Sequence, residues 1–145
     1  MTGLKEFGAY LCRLFAIDAM FLNEDRHTHN IAVLLDDVGE YHYCPIFDNG
    51  AALLSDTTMD YPMTGDVYEL VEEARPKTIC QNFDEQLDIA EQLYGQQIRF
   101  YYGVKEIESL LAAEQYYPNE IKQRVKEILI NQRRKYRYLF TDSIC

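Results

Sequence analysis

Ile31-Ala32-Val33-Leu34-Leu35, Asp36-Asp37-Val38-Gly39-Glu40, Tyr41-His42-Tyr43-Cys44-Pro45-Ile46 is the stretch of this sequence that reads as β structure. Two short runs rich in β-branched and aromatic residues flank an Asp- and Gly-bearing turn, which predicts one antiparallel hairpin. Asp48-Asn49-Gly50 breaks the pattern directly after it. The rest of the chain reads as helix or loop. The predicted fold class is therefore mostly α with one small β-hairpin.

Upstream, residues 4–22 predict a helix, because Leu4, Phe7, Leu11, Leu14, Phe15, Phe21 and Leu22 recur at helical spacing. From Leu14 to Leu22 it is apolar nearly all round, the pattern of a central, buried helix. Asp18 interrupts that stripe seven residues after Leu11. A carboxylate there needs partners, since an unpaired buried charge is costly.

Downstream, residues 55–66 read as a loop with Asp, Thr, Pro and Gly. Asp66 with Glu69 has the form of a capping box and opens a short helix that Pro76 stops. Asn82 with Glu85 opens another, ending at Gly95. A third helix is predicted from Val104 to Gln115. A last one runs from Pro118–Asn119 to Phe140, with a stripe of Ile121, Val125, Ile128, Leu129, Tyr136, Leu139 and Phe140. No internal repeat or linker divides residues 1–145, so one domain is expected, with a helical remainder over 66–140.

The chain has 145 residues, 48% of them apolar and 26% charged, which excludes disorder and collagen-like sequence. No apolar run approaches the ~20 residues of a membrane helix. The N-terminus shows no basic start followed by an apolar run, so no signal peptide is expected. The net charge of -10 is uneven: residues 1–50 carry -5, residues 51–100 carry -7, and residues 101–145 carry +2. Such a body repels phosphate backbones and anionic membranes, so neither nucleic acid nor membrane is the expected partner. Arg133-Arg134-Lys135-Tyr136-Arg137-Tyr138 interleaves cations with aromatics, but a basic helix end opposite the helix dipole is the simpler account. Cys12, Cys44, Cys80 and Cys145 form no C-x-x-C pair, so free, mostly buried thiols in a reducing cytoplasm are expected.

The chemistry concentrates in Asn23-Glu24-Asp25-Arg26-His27-Thr28-His29-Asn30 and Pro45-Ile46-Phe47-Asp48-Asn49-Gly50. A hairpin brings its two ends together, so Asp48 should return to the neighbourhood of Asn30. Two carboxylates and a carboxamide then converge. Oxygen ligands of this kind suit Mg²⁺, a hard cation that also takes substrate phosphates. A carboxylate outside the metal shell can accept a hydroxyl proton, the division of labour that phosphoryl transfer requires. His27 and His29 form an H-x-H, with His42, Asp25, Asp48 and Cys44 as further donors for a transition metal. Alternate residues of an extended segment point to opposite faces, which disfavours that site.

Asp25-Arg26-His27-x-x-Asn30, a two-stranded connection, then Phe47-Asp48-x-Gly50 resembles the catalytic core of HipA-like kinases and, more distantly, of phosphatidylinositol-kinase-like enzymes. The matching stretch covers roughly residues 10–55. The resemblance implies a protein-kinase-like C-terminal lobe, with the catalytic loop and a DFG-like segment within residues 23–50. It implies that Asp25 is the catalytic aspartate facing the substrate hydroxyl. Asn30 and Asp48 would be the Mg²⁺ ligands, and Arg26, His27 and Gly50 loop scaffold. It implies ATP as phosphate donor and a protein as acceptor, and it brings the toxin–antitoxin setting common among HipA-like proteins. Position 49 is Asn rather than the Phe of a standard protein kinase. A glycine-rich phosphate loop and a strand Lys with its Glu partner have no candidate before Asp25. The chain is thus expected to be inactive alone and to work with a missing N-terminal lobe or a second chain. A non-catalytic binding module that keeps the lobe as a scaffold is the alternative.

Overall fold

The computed structural model describes residues 3–141. It holds five α-helices and a two-stranded antiparallel sheet, in the order α1 (Phe7–Phe21), β1 (Val33–Leu35), β2 (Tyr41–Tyr43), α2 (Val67–Glu73), α3 (Phe83–Tyr94), α4 (Val104–Ala113) and α5 (Asn119–Lys135). Short 3-10 turns cover Thr28–Asn30 and Arg137–Leu139. The mostly helical class with one hairpin is what the sequence predicts.

The apolar segment of α1 lies at the centre. Ala16, Ala19, Met20 and Leu22 join Leu54, Leu70, Val71, Phe83, Leu87, Ile128, Leu139 and Phe140 in one buried cluster. Small residues on α1 let neighbouring side chains reach its backbone. Gln132 of α5 donates to the Ala19 carbonyl at 2.8 Å, and Gly8 leaves the room that the Tyr94 ring of α3 occupies. Capping follows the predicted residues. The Asp66 side chain accepts from the amides of Tyr68 and Glu69, and Asn82 accepts from that of Glu85.

The elements are shorter than their sequence patterns. The strands pair only as Val33 with Tyr43, Leu34 with His42 and Leu35 with Tyr41, because beyond Tyr43 the chain leaves the ladder to lie along α1. The last helix ends at Lys135 instead of reaching Phe140. The residues after it turn back so that Phe100 and Phe140 form a parallel bridge. There, Phe100 donates to the Leu139 carbonyl and Thr141 to the Phe100 carbonyl.

The basic helix end is engaged within the molecule. Arg133 lies 5.0 Å over the Phe140 ring, and Lys135 pairs with Asp84 at 2.8 Å. Cys12, Cys44 and Cys80 are free thiols, of which only Cys12 is fully buried, and Cys145 lies outside the described residues. Among the described residues, no helix is long and apolar enough to cross a membrane.

Candidate active site

The site begins where α1 stops. Leu22 takes a left-handed conformation (φ 53°), an uncommon one for a residue with a Cβ, costing about 1–2 kcal/mol. The amides of Leu22 and Asn23 then both turn back to the Asp18 carbonyl. This aims the following loop across the last turn of α1, over the Asp18 carboxylate.

Arg26 meets that carboxylate. Both side chains are fully buried, and Arg26 Nε lies 3.0 Å from Asp18 Oδ2. Nη2 also donates to Asp18 Oδ1 at 3.1 Å, which makes the pair a fork. Asn23 Nδ2 donates to the same Oδ1 at 3.0 Å. Burial pushes the Asp18 carboxyl up, while the guanidinium and the Asn23 amide pull it back.

The rest of the guanidinium joins the two ends of the hairpin. Nη1 donates to the Asn30 carbonyl at 3.3 Å and to the Phe47 carbonyl. Nη2 donates to Asn49 Oδ1 at 2.6 Å. The segment after β2 is also anchored above and below. Tyr10 Oη donates to the Cys44 carbonyl at 3.0 Å, and the Leu53 amide donates to the Phe21 carbonyl at 2.7 Å. Residues 44–53 therefore run along α1, with residues 47–49 held where Arg26 emerges.

Each predicted residue can now be placed. Asn30 is buried, and its Nδ2 donates to the Asp25 carbonyl at 2.9 Å, leaving Oδ1 unbonded among the described residues. Asp25 is half-buried and Asp48 is exposed. Neither carboxylate is spent on a hydrogen bond or ion pair among the described residues. Asp48 sits at φ 56°, a region that Asp tolerates better than most residues. Its carboxylate is not bonded to Asp25 or Asn30; its neighbours Phe47 and Asn49 carry the link. Four of the five positive-φ non-glycine residues described (Leu22, Asp48, Leu53 and Leu54) flank this site. Such strain collects where surrounding structure holds a loop in a set geometry.

His27 caps the 3-10 turn, with its Nδ1 accepting from the His29 amide at 3.2 Å, a scaffold position. Gly50 accepts from Ser55 Oγ at 2.7 Å, and a Cβ there would meet nothing within 4 Å. Its backbone thus makes no steric demand for glycine. The expectation that His27 and His29 point apart is corrected. The segment is a 3-10 turn, not a strand, and the rings meet edge-on at 5.3 Å. They gather no third ligand. Among the described residues, the one trio of His, Cys, Asp or Glu within ligating reach is Asp36, Glu40 and His42, in and beside the hairpin turn.

No family model, curated protein or solved structure matches this chain.

Three residues of the network carried no assigned role in the sequence reading. Asn23 and Asn49 complete it, and Glu24 ties it to a distant segment. The Glu24 side chain accepts from the Arg75 amide at 2.8 Å, and its carbonyl accepts from the Lys77 amide at 2.9 Å. Thr78 Oγ1 donates to the Arg26 carbonyl. The available signal was the triple Asp18, Asn23 and Arg26: one carboxylate on an apolar stripe, followed by two donors beyond the helix end.

Proposed function

We propose that this chain is the C-terminal lobe of a HipA-like kinase, which transfers the γ-phosphate of ATP to a hydroxyl on a protein. One observation carries the reading. A single buried guanidinium holds the carbonyls of Asn30 and Phe47, so the amide ligand and the segment bearing Asp48 share one end of the hairpin. The donor set fits Mg²⁺: an oriented amide oxygen on Asn30 and an unspent carboxylate on Asp48, both hard oxygen ligands. Bound there, Mg²⁺ would neutralise charge on the nucleotide phosphates.

The chain's own groups divide the remaining work. Asp25 lies in the loop whose backbone Asn30 fixes, and its free carboxylate orients the acceptor hydroxyl and takes its proton. Arg26 contributes no charge to the reacting groups, because Asp18 neutralises it, so its role is to set the position of the two ligands. Beyond that proton transfer, positioning and charge stabilisation are most of the protein's task in such a reaction. The phosphate-covering lobe is supplied by another segment or a second chain.

The test is transfer from radiolabelled ATP to a protein acceptor, by the purified chain with and without any chain that co-purifies from cells. Transfer that needs the partner and is lost in Asp25→Asn is the expected result. Partner-supported transfer that survives Asp25→Asn would remove the assignment.

A further inference from the structure

We propose that Lys77 is a phosphate-contacting residue of this site, its ammonium facing the terminal phosphate of the nucleotide beside Asp25. The inference rests on the kinase reading and adds to it the cation that the loop itself lacks.

Phosphoryl transfer builds negative charge on the equatorial oxygens, and a site needs cations that can reach them. From residue 27 to residue 74 the sequence holds ten Asp and Glu and no Lys or Arg. The loop's own cation, Arg26, is fully buried and forked onto Asp18, so it cannot serve a substrate. The first two cations after that gap are Arg75 and Lys77, and the fold stitches their segment onto the catalytic loop. The Arg75 amide reaches the Glu24 side chain, the Lys77 amide reaches the Glu24 carbonyl, and the Thr78 hydroxyl reaches the Arg26 carbonyl. These three bonds bracket Asp25 across about fifty residues of sequence.

The two cations are then distinguished by what they already do. The Arg75 guanidinium folds back onto the carbonyls of Glu72 and Ala74 at the end of α2. Lys77 is exposed, and its ammonium makes no hydrogen bond or ion pair among the described residues. A lysine ammonium is a mobile point charge on a four-carbon stem. Anchored by its amide at Glu24, it can swing over the neighbouring Asp25 toward a phosphate without disturbing the loop.

The experiment is a ¹H–¹⁵N NMR titration of the 145-residue chain with Mg·ATP and Mg·ADP, read at the amides of residues 24–30 and 47–50. It is done on wild type, Lys77→Met, Lys77→Arg and Asp48→Asn. Lys77→Met should weaken Mg·ATP roughly twofold to fivefold, the scale of one exposed charge–phosphate contact. Mg·ADP should be affected little, and Lys77→Arg should restore most of the ATP affinity. If Lys77→Met binds both nucleotides as wild type does while Asp48→Asn loses them, the Lys77 assignment falls and the kinase reading stands. If wild type shows no nucleotide response at these amides, both fall together.

Discussion

The two ends of the hairpin each carry an acid–base pair, and they behave differently. At the open end, Asp18 and Arg26 lie 3.0 Å apart with both side chains fully buried. At the turn, Asp36 and His42 lie closer, at 2.7 Å, with side chains 34% and 54% exposed. The shorter contact is the less costly one to break. Water screens the turn pair and competes for both partners, whereas the buried pair has only its protein partners for solvation. Asp36 mainly shapes the turn: its Oδ1 accepts from the amides of Val38 and Glu40. Arg26 instead holds two distant backbone segments at once. Burial, not distance, decides which cluster sets the site.

The comparison breaks first at Arg26. Arg26→Met strands the Asp18 carboxylate in the core and should cost about 3–5 kcal/mol, read as a fall in the urea midpoint. If the chain then fails to fold, Asp18→Leu with Arg26→Met is informative. Removing both charges should recover most of the loss while still releasing residues 47–49 from Asn30. A double variant as unstable as the single one would show that shape, not charge, is what the pair supplies.

Next come the two free carboxylates. Asp25→Asn and Asp48→Asn should each stay within about 0.5 kcal/mol of wild-type stability, since neither side chain holds the fold together. Asn also tolerates the left-handed backbone at position 48. Their functional effects should separate. In the complete enzyme, Asp25→Asn should cut transfer by about 10²–10⁴-fold and leave nucleotide binding nearly intact. Asp48→Asn should weaken Mg²⁺-dependent nucleotide binding itself. Equal loss of nucleotide affinity in both would mean that the two roles are wrongly divided.

The smallest effect belongs to the turn. The hydrogen bond from His42, with those from the Glu40 and Val38 amides, holds the Asp36 carboxyl below its ordinary value. A depressed folded pKa adds stability above the unfolded value of about 3.9, and that contribution disappears as pH falls through the folded pKa. His42→Ala should therefore raise the Asp36 pKa in an NMR titration and lower the urea midpoint at pH 7 only slightly, because the pair is exposed and screened. A large drop in that midpoint would place the turn, not Arg26, in charge of the hairpin.

Much of this was legible in the sequence because it is local. The stripe of α1, the caps at Asp66 and Asn82, and the turn between two β-rich runs are all set by residues within a few positions of one another. Asp18 announced that something polar must reach the core. What answered it was not legible in full, because Arg26, Asn23 and Asn49 converge on it through a left-handed bend at Leu22 that no Gly or Asn marks. The docking of residues 75–78 on Glu24 and Arg26 spans some fifty positions and is made largely by backbone groups, which leave no trace in composition or period. The hairpin reads longer than it is for a related reason. Cys44 and Ile46 suit a strand, but Pro45 between them has no amide hydrogen to give the ladder, and the Tyr10 hydroxyl claims the Cys44 carbonyl. α5 reads longer because Tyr136, Leu139 and Phe140 are buried as the helical stripe requires, yet reach the core by turning back after Lys135.

The central claim is that the buried end of the hairpin, not the exposed turn, is built to hold a divalent cation with nucleotide phosphates. The direct measurement is paramagnetic broadening of amide signals when Mn²⁺ with ATP is added to the ¹⁵N-labelled chain. The account predicts that Asn30 and Phe47–Gly50 broaden first, and that Asp48→Asn removes the effect. Broadening centred on Asp36, Glu40 and His42, with residues 47–50 untouched, would contradict it.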